Sequence, residues 1–158
     1  MSITLKDIRK SFGADPAVAG VSLDIAPGEF FVVLGPSGCG KSTLLRLIAG
    51  LEALDAGEVS IAGRRVAGPG LNLAPEDRRV GVVFQSYALW PHMSVAENVA
   101  FPIRTEGVDR ATRDRRTEAC LATVELLPFA DRKPAELSGG QRQRAGLSPC
   151  LAQRPHTI

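Results

Sequence analysis

The chain has 158 residues, which is enough for one domain with a hydrophobic core. Apolar residues make up 44% of it and charged residues 23%, values typical of a soluble globular protein, and the net charge of +2 is too small to argue for a nucleic acid partner. Residues 1–7 lack the apolar stretch of a signal peptide and no apolar run reaches membrane-span length, so a cytoplasmic location is predicted. The three cysteines, Cys39, Cys120 and Cys150, have no metal-ligand spacing, and neither a zinc site nor a disulfide framework is predicted.

The first elements in the chain are two predicted strands. Ile3 and Leu5 alternate with polar residues and predict a strand that ends near Ile8, and residues 21–25 alternate in the same way. Phe12 lies between the two strands in a predicted turn. Because no helix separates the strands, we expect them to pair antiparallel.

A glycine-rich loop follows a predicted buried strand, residues 30–34, and precedes a predicted helix, residues 43–49, which ends at Gly50. We call this segment the glycine loop; its residues are Gly35, Pro36, Ser37, Gly38, Cys39, Gly40, Lys41, Ser42 and Thr43. It fits the pattern G-x-x-x-x-G-K-[ST] at every position, and the flanking strand and helix are the context that this phosphate-binding motif requires.

The residue types of the glycine loop suit a bound nucleotide. Its glycines let backbone N–H groups approach an anion, and the helix start adds unpaired N–H groups and a positive dipole end. Lys41 can reach terminal phosphates, and the Ser42 hydroxyl can join the ligands of a Mg²⁺ ion held between phosphates. The alternative is a structural strand-to-helix turn with a surface lysine, which the complete motif disfavours.

The middle of the chain predicts two further strands separated by a loop. Residues 57–63 form a short glycine-bounded strand, residues 66–76 are a predicted loop, and residues 80–84 are a predicted buried strand. Gln85 stands at the C-terminal end of that strand, the end that faces the ligand in open α/β sheets. Its amide either binds a metal or a water, or Gln85 is simply a polar residue at the end of the strand.

A helical region is predicted after Gln85. Tyr87–Met93, which we call the aromatic loop, is either packed in the core or exposed to a partner, and we favour the partner. Ser94 and Glu97 have capping-box spacing and predict a helix start, with an end or a kink at Pro102. Asp109 predicts the start of a longer helix that runs to about Leu127 and includes Leu127 in its apolar face.

The last predicted helix follows Leu137. Ser138 and Gln141 have capping-box spacing, while Gly139 and Gly140 leave the first N–H groups accessible, so this helix start is a second candidate anion site. Pro149 removes one helical hydrogen bond, at a cost of about 3 kcal/mol, and predicts that the helix breaks or kinks near residues 145–148.

Taken together and in this order, the glycine loop, Gln85 and the segment Ser138–Arg144 resemble the nucleotide-binding subunit of an ATP-binding cassette (ABC) transporter. The resemblance implies an α/β P-loop NTPase fold with an antiparallel β subdomain and an inserted helical subdomain. The glycine loop then corresponds to the Walker A loop, Gln85 to the Q-loop glutamine, and Phe12 to an aromatic residue that stacks on adenine. Residues 85–92 are similar to those of bacterial importers of sugars, polyamines, iron and sulfate.

The resemblance also implies cofactors and partners. ATP would bind with Mg²⁺, which Ser42 and Gln85 would help to hold. Two copies of the subunit would enclose ATP between the glycine loop of one and the signature residues of the other, namely Ser138, Gly139, Gly140 and Gln141. The aromatic loop would dock on transmembrane permease subunits at the inner face of the cell membrane, with a solute-binding protein as an indirect partner.

The chain departs from the family pattern after the signature helix. The family continues with an acidic Walker B strand, a catalytic glutamate and a switch histidine, and the printed sequence has none of these; His156 is not expected to be the switch histidine. The resemblance therefore implies a partial cassette without the C-terminal half of the core, deficient in hydrolysis. Its expected parts are residues 1–93, a β subdomain with the Walker A and Q-loop core, residues 94–147, a helical subdomain, and residues 148–158, a divergent end.

Three other functions are consistent with some of these features. A nucleotide-binding or dimer-forming module that never hydrolyses ATP would share every motif. A small P-loop kinase is disfavoured because it has no use for the segment Leu137–Gln141. A DNA-repair or translation ATPase is disfavoured by the near-neutral charge and the absence of a basic stripe.

Overall fold

The structure is a computed structural model that describes residues 2–153, 155, 157 and 158; His156 lies outside the described residues. The described residues form two compact units. The first contains residues up to Val80 together with Thr157, and the second contains residues from Gly81 onward together with Ile158. The division of the chain at residues 93 and 147 stays a prediction.

The first unit is built on a five-stranded antiparallel sheet with the strand order β2-β1-β3-β4-β5. The strands are β1 (Ile3–Phe12), β2 (Asp15–Ile25), β3 (Ala56–Ile61), β4 (Arg64–Gly68) and β5 (Leu71–Asn72). One helix, α1 (Lys41–Ala49), buries Leu44, Leu47 and Ile48 in the core of this unit with the apolar residues of β1 and β3. The antiparallel pairing of the first two strands is confirmed.

Strand β1 is longer than the alternation of its side chains predicts. Ile3 and Leu5 are buried as expected, but the pairing shifts between Leu5 and Ile8, and Asp7 adopts φ 46° there. This irregularity returns Ile8 to the buried face and lets the strand continue to Phe12. Phe12 is therefore the last residue of β1, and the turn follows it.

The two predicted buried strands are wrong. Residues 30–34 form no strand, and Phe30 is 92% exposed. Of residues 80–84, only Val80 pairs, in a single parallel bridge with Thr157. A β-strand is stable only when it pairs with an adjacent strand. The apolar character of a segment does not show whether such a partner strand is present.

The predicted loop at residues 66–76 is also wrong. It contains most of β4, all of β5, and the first part of a 3₁₀ turn at Pro75–Arg78. The glycines and prolines of this stretch lie in tight turns between short elements. Amino-acid composition alone does not distinguish such a series of short elements from one continuous loop.

The second unit contains three helices, α2 (Val95–Thr105), α3 (Arg110–Thr123) and α4 (Gly139–Ala152), with 3₁₀ turns at Leu127–Phe129 and Pro134–Glu136. The capping boxes at the starts of α2 and α4 are confirmed, as is the cap of α3 by Asp109. Helix α3 ends four residues before Leu127, which is exposed, so its predicted place in the apolar face is wrong. No helix in the described part of the chain has both the length and the apolarity to cross a membrane.

Helix α4 continues through Pro149 to Ala152, so the predicted break is wrong, whereas the alternative of a kink stays a prediction. The side chains on both sides of the proline, those of Ala145, Ser148 and Cys150, are buried in the second unit. The Ser148 hydroxyl donates to Arg144 O at 2.9 Å, and the Cys120 thiol donates to Ser148 O at 3.2 Å. We infer that this packing holds the last turn in place and offsets the hydrogen bond that the proline removes.

Substitution Pro149→Ala should therefore stabilise the protein, because it restores the N–H donor and relieves the contact with the carbonyl of Ala145. We expect the free energy of unfolding to rise by about 1–3 kcal/mol, measured by urea titration followed by circular dichroism. Pro128→Ala is the matched control, since Pro128 lies in a 3₁₀ turn, and there we expect no gain. A loss of stability in Pro149→Ala would contradict this account of α4.

Candidate functional site

The glycine loop lies directly against strand β2. Helix α1 begins at Lys41, and the residue before it, Gly40, adopts φ 90° in the left-handed region. A Cβ atom on Gly40 would overlap the carbonyl oxygen of Ala17 in β2. Only glycine fits both the conformation and this close approach, so the loop and the helix start are fixed against the sheet.

The start of α1 is open to an anion. No side chain caps it, and Ser42 in its first turn is exposed. The Lys41 ammonium turns back into the glycine loop, where it donates to Gly35 O at 2.9 Å and Pro36 O at 2.6 Å and lies 3.5 Å from Cys39 Sγ. These partners are uncharged, so a phosphate group that entered the loop would offer the ammonium a stronger acceptor.

A cavity of about 500 Å³ lies beside the glycine loop within the first unit. Its walls come from β2, from residues 31–34, from the loop and from α1. Lys41 is the one charged residue among the lining residues, and the other side chains in the wall are apolar apart from the Cys39 thiol. The cavity therefore offers a positive charge and apolar surface, and its lining contains no carboxylate.

Phe12 is the last residue of β1 and is 51% exposed. The Lys10 ammonium lies 5.3 Å from the ring centroid, in cation–π range, and 3.1 Å from Asp55 Oδ1. The other oxygen of Asp55 accepts from Ser11 N at 2.6 Å. The Ser11 N–H and the Lys10 ammonium hold the pKa of Asp55 below its usual value, and Asp55 in turn fixes the strand end that carries Phe12.

Gln85 is exposed at the start of a tight turn in the second unit. Tyr87 and Ala88 both adopt left-handed conformations, with φ 65° and 48°, and Tyr87 N donates to Phe84 O at 2.9 Å. Tyr87 lies against Gly146 of α4, where a Cβ atom would come within 2.7 Å of Tyr87 Cβ. Gly146 therefore lets the Gln85 turn approach the helix that carries the second candidate anion site.

The aromatic loop is shaped by one buried amide. Asn98 on α2 accepts from Trp90 N at 2.7 Å and donates to Trp90 O, Met93 O and Ser94 O at 2.9–3.3 Å. Three of these four hydrogen bonds go to the aromatic loop, and the fourth goes to Ser94, the cap residue of α2. The Trp90 indole stays 49% exposed, tilted against Phe101 with the ring centroids 6.1 Å apart. Leu89 packs on the core instead, so the loop is only partly exposed.

The start of α4 is the second candidate anion site. Ser138 Oγ accepts from Gln141 N at 3.3 Å, and Gln141 Oε1 accepts from Ser138 N at 2.8 Å. A Cβ atom added to Gly139 or Gly140 would meet open space, so the approach to this helix start is clear.

The structure thus brings Phe12 and the glycine loop into the first unit, and Gln85, the aromatic loop and the start of α4 into the second. The catalytic, nucleotide and metal roles of these residues stay predictions. Sequence reasoning missed Asn98, although its place among Val95, Val99 and Ile103 on the buried face of α2 was a signal. It also missed Arg78, for which no local pattern gave a signal.

The family model for ABC transporters matches residues 18–158. The chain belongs to the ABC transporter family. The resemblance drawn from the glycine loop and the signature segment is therefore confirmed. The described elements agree with the expected mixed fold, in which an antiparallel sheet is combined with helices.

This chain is similar in sequence to ATP-binding subunits of importers. It is 50% identical over 153 residues to the sn-glycerol-3-phosphate import ATP-binding protein UgpC 1 of Rhizobium johnstonii, covering 97% of this chain and 40% of that protein. It is 49% identical over 155 residues to UgpC of Burkholderia thailandensis, covering 98% of this chain and 42% of that protein. The chain thus spans about two fifths of the length of these relatives.

Solved ABC cassettes show the same fold. The dimeric post-hydrolysis state of the ATP-binding cassette MJ0796 bound to ADP and Pi matches with a TM-score of 0.83 and 35% identity, covering 97% of this chain and 70% of that chain. A second dimeric structure of MJ0796 matches equally well. The expected ABC ATPase fold is confirmed.

The hydrogen bonds of Asp55 predict that its contribution to stability depends on pH. Because the pKa of Asp55 is lowered in the folded protein, its contribution is present above its unfolded pKa and disappears as the pH falls through its folded pKa. We expect Asp55→Asn to lower the melting temperature at pH 6, and the difference from wild type to shrink below about pH 4. Asp24→Asn, an exposed carboxylate on β2, is the control. A difference that stayed constant from pH 6 to pH 3 would contradict the proposed role of the Asp55 carboxylate in fixing the end of β1.

Proposed function

We propose that this chain is the ATP-binding part of an ABC importer subunit. The observation that carries the proposal is the position of Lys41, whose ammonium lies inside the glycine loop on uncharged carbonyls at an uncapped helix start. A triphosphate in this loop would gain the lysine charge, the loop N–H groups and the helix dipole together.

The remaining predicted site residues fit this ligand. The half-exposed ring of Phe12 offers a face to adenine. The Ser42 hydroxyl is exposed in the first turn of α1 and the Gln85 amide is exposed in its turn, so both oxygens are free to join the ligands of a Mg²⁺ ion. When bound, Mg²⁺ neutralises part of the phosphate charge, while Lys41 and the glycine loop orient the phosphates.

Two ABC subunits are proposed to bind ATP between them. The start of α4, with Gly139 and Gly140 clear of other atoms, offers N–H groups to the triphosphate held by a second copy. The MJ0796 cassettes were solved as dimers, which supports this arrangement. Ser138 and Gln141 would then serve two purposes, the cap of α4 and contact with the nucleotide.

The aromatic loop is the proposed contact with the transmembrane permease subunits, on the inner face of the membrane. The exposed Trp90 ring, fixed through the hydrogen bonds of Asn98, gives this loop a preformed apolar surface. The names of the relatives make sn-glycerol-3-phosphate the first solute to test. The solute-binding protein would act on the permease and not on this chain.

Residues 1–158 by themselves are proposed to bind ATP without hydrolysing it. The cavity beside Lys41 has no carboxylate in its lining, so it lacks an acidic group that could act as a general base on a water there. Binding and hydrolysis are therefore separable in this chain.

The test of the nucleotide site is titration with a fluorescent ATP analogue, with and without Mg²⁺, while phosphate release is followed in the same samples. We expect binding in the wild type, at least a tenfold loss of affinity in Lys41→Ala, and no phosphate release above background. Lys6→Ala, an exposed lysine on β1, controls for the loss of a surface charge. Equal binding by the wild type and Lys41→Ala would refute the site, and Lys41-dependent phosphate release would refute the separation of binding from hydrolysis.

The permease contact is tested by co-purification with the membrane subunits of a related glycerol-phosphate importer. Trp90→Ala should lose association with the permease while it keeps ATP binding, because the Trp90 ring supplies the exposed apolar surface. Leu127→Ala removes an exposed apolar side chain elsewhere in the second unit and should retain association. Retention of the permease by Trp90→Ala would count against this surface.

A further inference from the structure

Arg78 is a charged residue buried in the core of the first unit. It ends the 3₁₀ turn at Pro75–Arg78 and is only 2% exposed. Its Nη1 atom donates to Leu47 O at 2.8 Å and to Ile48 O at 3.0 Å. Both carbonyls belong to the last turn of α1, where helical N–H donors run out; of the two, Leu47 O also accepts from Gly50 N at 3.3 Å.

The rest of the guanidinium binds the edge of the sheet. Its Nη2 atom donates to Asn72 Oδ1 at 2.7 Å, and its Nε atom donates to Leu73 O at 3.0 Å. Asn72 is the last residue of β5. One side chain therefore connects the end of α1 to the strand at the edge of the sheet, through four hydrogen bonds.

The charge of Arg78 is balanced by the helix and not by a carboxylate. Among the described residues, the ion pairs of the first unit involve Arg9, Lys10 and Arg65 but not Arg78. Burial lowers the pKa of Arg78, but an arginine remains protonated in proteins. The C-terminal end of a helix carries a partial negative charge, so the guanidinium lies where α1 compensates it best.

Gly50 makes room for this contact. It closes α1 with φ 81°, and its N–H bonds back to the last turn of the helix. A Cβ atom on Gly50 would come within 2.5 Å of Arg78 Nε. A side chain at position 50 would therefore have two effects. It would strain the backbone at the end of α1, and it would displace the Arg78 guanidinium.

We propose that Arg78 is a positioning residue for the glycine loop. Helix α1 has nine residues, so about 12 Å separate its two ends, and a helix this short moves as one body. Its start carries Lys41 and Ser42, and its end is held by Arg78. Release of the end allows the helix to tilt and displaces the groups at its start. This inference rests on the proposed nucleotide site and adds a residue that orients the phosphate-binding groups of that site.

The first measurement is the affinity for ATP of Arg78→Ala and Arg78→Lys, made well below the melting temperature of each variant. We expect the Kd to rise about tenfold in both, since a lysine cannot span both carbonyls and the Asn72 amide in the way that the guanidinium fork does. Ile61→Ala is the matched control, because it destabilises the same unit through its core in β3 and removes none of the hydrogen bonds that Arg78 makes. Its Kd should stay within about twofold of wild type.

The second measurement needs no nucleotide. Cys39 in the glycine loop is exposed, whereas Cys120 and Cys150 are buried in the second unit, so a maleimide probe under native conditions reports mainly on the loop. Cys39 Sγ lies close to Gly35, and a loosened loop should expose it further. We expect Cys39 to be alkylated at least threefold faster in Arg78→Ala and in Gly50→Ala, but not in Ile61→Ala. The buried thiols, mapped by mass spectrometry, control for global unfolding.

The outcomes separate the two proposals. If the wild type shows no Lys41-dependent ATP binding, the proposed function fails, and the Cys39 rates still decide whether Arg78 positions the loop. If Arg78→Ala does not fold, Asn72→Ala removes a single acceptor and should give a smaller change in the same direction. Unchanged Cys39 reactivity in the variants at residues 50, 72 and 78, or an equal change in Ile61→Ala, would overturn the positioning role.

Discussion

The position of helix α1 depends on a close contact at each of its ends. At its start, Gly40 meets the carbonyl of Ala17 so closely that no side chain fits. At its end, the guanidinium of Arg78 binds two carbonyls of the last turn. Between these ends the helix buries Leu47 in the core. The Lys41 ammonium has a defined place in the loop because the helix that carries it is fixed in this way.

In the second unit, too, a buried polar side chain and a glycine fix the position of exposed turns. Asn98 makes three hydrogen bonds to the aromatic loop and leaves the Trp90 ring exposed. Gly146 lets the turn after Gln85 approach α4. A glycine that weakens a helix when the helix is considered alone is thus explained by the neighbour that it admits. In both units, the residues proposed to bind a ligand or a partner are held in place by residues that bind neither, such as Arg78 and Asn98.

Sequence predicted the features that depend on a few neighbouring residues. The glycine loop, the capping boxes at Ser94 and Ser138 and the end of α1 at Gly50 are all local, and each was found. The features it missed depend on distant contacts. Residues 30–34 are apolar enough for a strand but pair with no other described segment, and the helix through Pro149 is held by packing against α3. Arg78 could not be found because three of its four acceptors are backbone carbonyls, which have no sequence signature, and two of them lie 30 and 31 residues away.

The central claim is that the glycine loop at the start of α1 receives the phosphates of a nucleotide. The most direct measurement is amide NMR of the isotope-labelled chain during titration with Mg²⁺ and ATP. The account predicts that the largest shift changes fall on the amides of Gly38, Gly40, Lys41 and Ser42, with smaller changes near Phe12. If the loop amides did not move while others shifted, the nucleotide would bind elsewhere and the account would be contradicted.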